Sequence, residues 1–126
     1  MTATICVISI IDDDESIRTA TKRLLNSVGY EVESYASAEL FLASGALSRT
    51  ECLILDIRMP GMNGLELQRQ LKATGSCVPI VFVSAHDDKI NRRKAIQGGA
   101  IEFFRKPFDA NALVACIQRA LNPRKE

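Results

Sequence analysis

Short runs of β-branched and apolar residues alternate along this chain with stretches whose apolar positions recur every three or four residues. The runs are Ile5–Ile11, Glu31–Tyr35, Cys52–Leu55, Pro79–Val83 and Ala100–Phe104, and each predicts a strand. Between them, Ser16–Val28 places Ile17, Ala20, Leu24 and Leu25 on one helical face, and Gly29 follows as a stop. Ser37–Ala43 opens on a serine suited to cap a helix and carries Leu40, Phe41 and Leu42. Leu65–Ala73 ends shortly before Gly75, Asn91–Gln97 stops at Gly98-Gly99, and Asp109–Leu121 is closed by Pro123.

The pattern is five strand–helix units. The first, third and fourth strands read as nearly continuous apolar runs, which implies burial on both faces and therefore a parallel sheet. Right-handed crossovers then place helices on both sides. The expected fold is α/β, a doubly wound (βα)5 three-layer sandwich. Strand order 2-1-3-4-5 is taken by analogy with flavodoxin-like sheets. A chain of 126 residues fits one such domain, and residues 1–121 account for all of it.

Charge and cysteines narrow the class. Sixteen Lys and Arg against fifteen Asp and Glu leave no global field for nucleic acid or membrane. Cys6, Cys52, Cys77 and Cys116 lack metal-ligand spacing, and a single histidine argues against a zinc site. Cys6 and Cys52 are expected to pack inside, with Cys77 and Cys116 more accessible. The apolar start is cut off by Asp12, Asp13, Asp14 and Glu15, unlike a signal peptide or membrane helix. The expected compartment is the cytoplasm.

Chemistry collects at the carboxyl ends of the strands, where open α/β sheets bind ligands. The first strand ends at Asp12-Asp13-Asp14, the third at Asp56, the fourth at Ser84-Ala85, and the fifth is followed by Lys106-Pro107. Asp14 and Glu15 suit the positive end of the first helix. Asp12, Asp13 and Asp56 flank the switch point between the first and third strands, and three carboxylates there raise one another's pKa. An oxygen-only cluster calls for a hard cation, Mg²⁺ or Mn²⁺. A metal, a lysine and a hydroxyl around one carboxylate describe phosphoryl transfer, with Asp56 as nucleophile.

At these residues the sequence resembles the receiver domain of bacterial two-component response regulators. The stretches are Ile11-Asp12-Asp13-Asp14, Leu55-Asp56-Ile57-Arg58-Met59-Pro60-Gly61-Met62-Asn63-Gly64, Ser84-Ala85-His86 and Lys106-Pro107-Phe108. Tyr35-Ala36-Ser37-Ala38-Glu39 and Gly99-Ala100-Ile101-Glu102-Phe103-Phe104 look most like the FixJ-type transcriptional regulators. The resemblance implies that Asp56 accepts a phosphoryl group from a sensor histidine kinase. It implies that Asp13, Asp56 and the Arg58 main-chain carbonyl bind Mg²⁺ directly and Asp12 through water. It also implies that Lys106 contacts the phosphoryl group, that Ser84 and Phe103 form the switch, and that Arg58 and His86 tune phosphoryl lifetime. Such a protein catalyses only its own phosphotransfer and dephosphorylation.

Locally, Pro60-Gly61 suits a tight turn, and Gly64 suits a positive φ ahead of the next helix. Phe104 is expected in the core. The doubled glycine Gly98-Gly99 is expected to loosen the end of the fourth helix. Arg92-Arg93-Lys94 reads equally as a solvated face or as part of a partner surface formed by the fourth helix, fifth strand and fifth helix. Phosphorylation-dependent homodimers are expected through that surface. Residues 122–126 read as a tail or the start of a linker to a DNA-binding domain, without direct nucleic-acid or membrane contact by this chain.

Three rival readings carry their own discriminators. An aspartate-nucleophile phosphatase of the haloacid dehalogenase type usually has a second Asp where Arg58 stands. A flavodoxin-like FMN carrier needs a hydroxyl- and glycine-rich phosphate loop where the Asp triplet stands. A pseudo-receiver would bind partners without being phosphorylated.

Overall fold

In the computed structural model, which describes residues 6–85 and 89–121, strands and helices alternate throughout. They are β1 (Val7–Ile11), α1 (Glu15–Ser27), β2 (Glu31–Tyr35), α2 (Ala38–Ser44), a 3₁₀ turn (Ala46–Arg49), β3 (Cys52–Asp56), α3 (Gly64–Ala73), β4 (Ile80–Ser84), α4 (Lys89–Gln97), β5 (Glu102–Arg105) and α5 (Ala110–Leu121). The strands form one parallel sheet of order β2-β1-β3-β4-β5, as expected from the sequence.

Alternation along the strands splits the interior in two. On one face Ile11, Leu53, Leu55 and Phe82 pack against Phe41 of α2 and Leu67 of α3. On the other, Ile8, Ile10, Ile54 and Val81 meet Leu25 of α1 and Ile117 of α5. β3 and β4 are buried at every position, which is why they read as unbroken apolar runs. Ser9 is the polar exception in β1. Its hydroxyl pairs with Thr50 Oγ1 at 2.7 Å, and Thr50 donates to the Ala46 carbonyl of the 3₁₀ turn, so neither hydroxyl is buried unpaired.

The helix starts follow local chemistry. Asp14 caps α1, accepting from the Ser16 and Ile17 amides at 2.9 and 3.2 Å, and Ser37 caps α2 by accepting from the Leu40 amide. Asp14→Ala is expected to lower stability by about 1 kcal/mol in urea denaturation. An unchanged midpoint would mean that water replaces the cap.

Two expectations need correction. The Gly98-Gly99 pair does not loosen α4. Gly98, Gly99 and Ala100 donate their amides back to Lys94, Ile96 and Ala95 and close the helix, with Gly99 at φ +101°. That closure uses Ala100, so β5 starts only at Glu102. A Cβ at Gly98 would strike the Gln68 side chain, which crosses from α3 to donate to the Ala95 carbonyl at 2.9 Å. Cys116 is also not accessible, being 1% exposed. It faces the sheet from α5, beside a Cys52 thiol that burial pushes up to about 12. Cys52 is buried and Cys77 exposed, as expected, while Cys6 is half-buried.

Candidate functional site

Strands β1, β3, β4 and β5 end on one edge of the sheet, and each delivers a polar side chain there. β1 runs into Asp12 and Asp13, β3 ends on Asp56, β4 ends on Ser84, and β5 is followed by Lys106. Asp12 is fully buried and Asp56 is 5% exposed, whereas Asp13 faces solvent. One carboxylate oxygen from each of the three lies within 4.8 Å of the others.

Every oxygen of Asp12 is occupied by the protein. Oδ1 accepts from the Asp14 amide at 2.9 Å, Oδ2 from Lys106 Nζ at 2.6 Å, and the main-chain carbonyl from Arg18 Nη1 at 2.7 Å. Lys106 Nζ also lies 3.7 Å from Asp56 Oδ2. Its own amide donates to the Ser84 carbonyl at 2.7 Å, which joins the ends of β4 and β5, and the Lys106–Pro107 peptide is cis. One lysine therefore faces three carboxylates. Burial first, then the charge of Asp12, pushes Asp56 up from 3.8 to about 7, with Lys106 and the Ile57 amide opposing and Asp13 adding to the rise.

This donor set suits a hard divalent cation. It offers oxygen alone, an exposed Asp13 gives access, and the buried negative charge exceeds what Lys106 offsets. Both Asp12 side-chain oxygens already accept a hydrogen bond each, whereas Asp13 is open to solvent.

The segment after Asp56 is shaped by close approach. The Gly64 amide donates to the Ile57 carbonyl at 2.9 Å, and Asn63 and Glu66 form a reciprocal capping box at the start of α3. Gly64 does not have the positive φ read from the sequence. Gly61 does, at +77°. Glycine is needed at 64 because a Cβ there would fall against the Asp56 carbonyl oxygen. Gly64→Ala is therefore expected to cost about 2 kcal/mol in chemical denaturation. A neutral result would show that the loop yields.

Phe103 is 3% exposed and already turned inward, stacked on Phe82 with ring centroids 6.3 Å apart. It is more deeply buried than Phe104, which packs half-buried against Phe108. Arg92 crosses over Phe103 from α4, its guanidinium carbon 4.8 Å from the ring centroid and Nη1 3.4 Å from the Phe103 carbonyl. The whole basic run is exposed, and Arg92 within it also lies on the aromatic. Arg58 is exposed beside Asp56, and His86 lies outside the described residues. Sequence reasoning gave Arg18 no role and noted Glu39 only as part of the Tyr35–Glu39 stretch, because the Asp12 carbonyl and the Met62 amide they bind are not legible from their local pattern.

The sequence pattern of the family described as the response regulator receiver domain matches residues 8–118. The chain belongs to that family. Over 115 residues it is 47% identical to the response regulator protein TodT of Pseudomonas putida, covering 91% of this chain and 51% of TodT. It is 35% identical over 119 residues to the transcriptional regulatory protein FixJ of Azorhizobium caulinodans, covering 94% of this chain and 56% of FixJ. The solved response regulator StyR superposes with a TM-score of 0.87 at 42% identity, over 95% of this chain and 61% of that one. The chain thus spans about half the length of these curated relatives. As a receiver domain it is a member of a regulatory family, and among the described residues no helix is long and apolar enough to cross a membrane.

Proposed function

We propose that this receiver domain is a phosphorylation-activated switch of a two-component phosphorelay, working in the cytoplasm. The observation that carries the reading is a buried Asp56 carboxylate, grouped with Asp12 and Asp13 and faced by Lys106. Mg²⁺ (or Mn²⁺) would be held by Asp13, Asp56 and the Arg58 main-chain carbonyl, and by Asp12 through water. When bound, it supplies positive charge against the phosphoryl oxygens. Asp56 attacks the phosphorus of a histidine kinase's phosphohistidine. A P–O bond forms as the P–N bond breaks, and the imidazole leaves neutral, keeping the proton on its other nitrogen. Lys106, already bonded to Asp12 and near Asp56, pairs with a second phosphoryl oxygen, and Ser84 donates to a third.

Charge gained at Asp56 is then read through Ser84 and Phe103 on the α4–β5–α5 surface. Phosphorylation would shift the population toward states in which Phe103 is turned inward, as it is here against Phe82. The output is dimerisation or release of a DNA-binding domain, with residues 1–121 as the receiver and 122–126 as the start of a linker. Arg58 and His86 set how long the phosphoryl group survives, and changing both is expected to alter the decay rate without preventing phosphorylation.

The test is intact mass after incubation with Mg²⁺ and acetyl phosphate, beside Asp56→Asn. Gain of one phosphoryl group in the wild type alone supports the reading, and size-exclusion of the same sample reports dimerisation. No gain from acetyl phosphate or a kinase would leave a pseudo-receiver as the better account.

A further inference from the structure

The loop between β3 and α3 is held by three ties, and the third comes from elsewhere in the fold. At its base the Gly64 amide reaches the Ile57 carbonyl, and at its far end the Asn63–Glu66 capping box closes the turn into α3. Both are local to the loop. At the crown the Met62 amide donates to Glu39 Oε2 at 2.8 Å, across a sequence separation of 23. Glu39 stands in the first turn of α2, on the other side of β3 in sequence.

The loop is built around that carboxylate. Gly61, next to Met62, has φ +77°, and a Cβ there would run into the Glu39 carboxylate. Met59 and Met62 point the loop's apolar side chains into the same cluster that holds Ala38 and Phe41 of α2. The start of α2 is itself fixed by the Ser37 cap. The Met62 bond holds the Glu39 carboxyl below the usual carboxylate range, so the acceptor is charged at neutral pH. A residue exposed to solvent is thereby committed to the backbone of the loop that leaves Asp56.

We propose that Glu39 is a positioning residue for the phosphorylation site: it pins the crown of the β3–α3 loop to α2 and so orients the loop main chain toward the cation held beside Asp56. This rests on the phosphoryl-switch reading above, in which the Arg58 carbonyl of that loop is a cation ligand. The physical argument is preorganisation. A main-chain ligand on the loop of residues 57–63 binds well only if the loop's conformation is set before the cation arrives. The base tie holds Ile57 and the capping box holds Asn63, while Glu39 holds the Gly61–Met62 stretch between them against α2.

The test compares Glu39→Ala with Glu39→Gln, which keeps an acceptor oxygen of similar reach but drops the charge. Mg²⁺ affinity is read by calorimetry, Met62 amide exchange by NMR, and thermal midpoints check the fold. Glu39→Ala is expected to weaken Mg²⁺ by about tenfold, at the low end for partners that orient a ligand because the bond is exposed. It should also speed exchange at Met62 while leaving exchange in β3 and β4 unchanged. Glu39→Gln should recover most of the affinity. Wild-type Mg²⁺ affinity in Glu39→Ala would overturn the proposal. Equal losses in both variants would also overturn it, since a long-range charge effect and not the bond would then be responsible. If the wild type binds no Mg²⁺ at all, the phosphoryl-switch reading fails and the role of Glu39 toward the cation falls with it. Fast Met62 exchange in Glu39→Ala would in that case still report the tie itself, so the two failures are told apart.

Discussion

In metal-free buffer at pH 8, Asp56→Asn is expected to unfold at a higher denaturant concentration than the wild type, although it removes the proposed phosphoacceptor. Burial and the neighbouring Asp12 raise Asp56 from 3.8 to about 7 in the folded chain. An unfolded chain returns it to its ordinary value, so between those limits the native state holds a proton that the unfolded state has released. Stability therefore falls as pH rises from about 4 to about 7, and the penalty is complete above that range. Asparagine carries no charge at any pH and escapes the penalty, a gain on the order of 2–4 kcal/mol at pH 8. The gain should shrink steeply toward pH 4 and vanish only below about pH 3, where both states of the wild type are protonated. The Lys106–Asp12 pair at 2.6 Å does not involve Asp56 and remains in the variant. Denaturant midpoints of the two proteins from pH 4 to 8 check this. A gap that stays constant with pH would show that packing, and not ionisation, is responsible.

Removing the opposing charge should do the reverse. Lys106→Met keeps most of the side-chain volume but leaves Asp12 buried beside Asp56 and Asp13 without its cation. Lys106 is 11% exposed in its side chain and Asp12 1%, so water cannot readily take the lysine's place. Breaking a buried pair by deleting one partner is expected to cost about 3 kcal/mol at pH 8. Two rescues separate this from lost packing. Mg²⁺ should restore much of the stability, because it offsets the same carboxylates. Asp56→Asn in the Lys106→Met background should recover more stability than it adds to the wild type, because one fewer charge is then unopposed. Phosphoryl uptake should be lost in Lys106→Met even where Mg²⁺ has restored the fold. If neither Mg²⁺ nor Asp56→Asn rescues it, the methylene stem of Lys106 matters more than its ammonium.

The proposed site was legible in outline because its residues sit where strands end. Asp12, Asp13, Asp56, Ser84 and Lys106 each follow an apolar run, and a parallel sheet brings the carboxyl ends of such runs to one edge. The ties that hold those residues were not legible. Arg18 on the Asp12 carbonyl, Glu39 on the Met62 amide and Arg92 on the Phe103 ring join positions whose neighbours in sequence give no hint of the partner. Gly64 was singled out for the wrong reason. Sequence suggests conformational freedom at a glycine, whereas the close approach of the Asp56 carbonyl depends on where β3 lies relative to α3.

Local chemistry, then, was set by the chain itself: capping side chains at Asp14 and Ser37, the stop at Gly29, and the unbroken apolar runs that form β3 and β4. These depend on residues within a turn or two of one another. Whether Cys116 meets solvent, what Arg92 lies against, and how far Asp56 is lifted from its ordinary value were decided by tertiary packing. Burial and electrostatics sum over every element that comes within a few ångströms, and only the folded chain defines which elements those are.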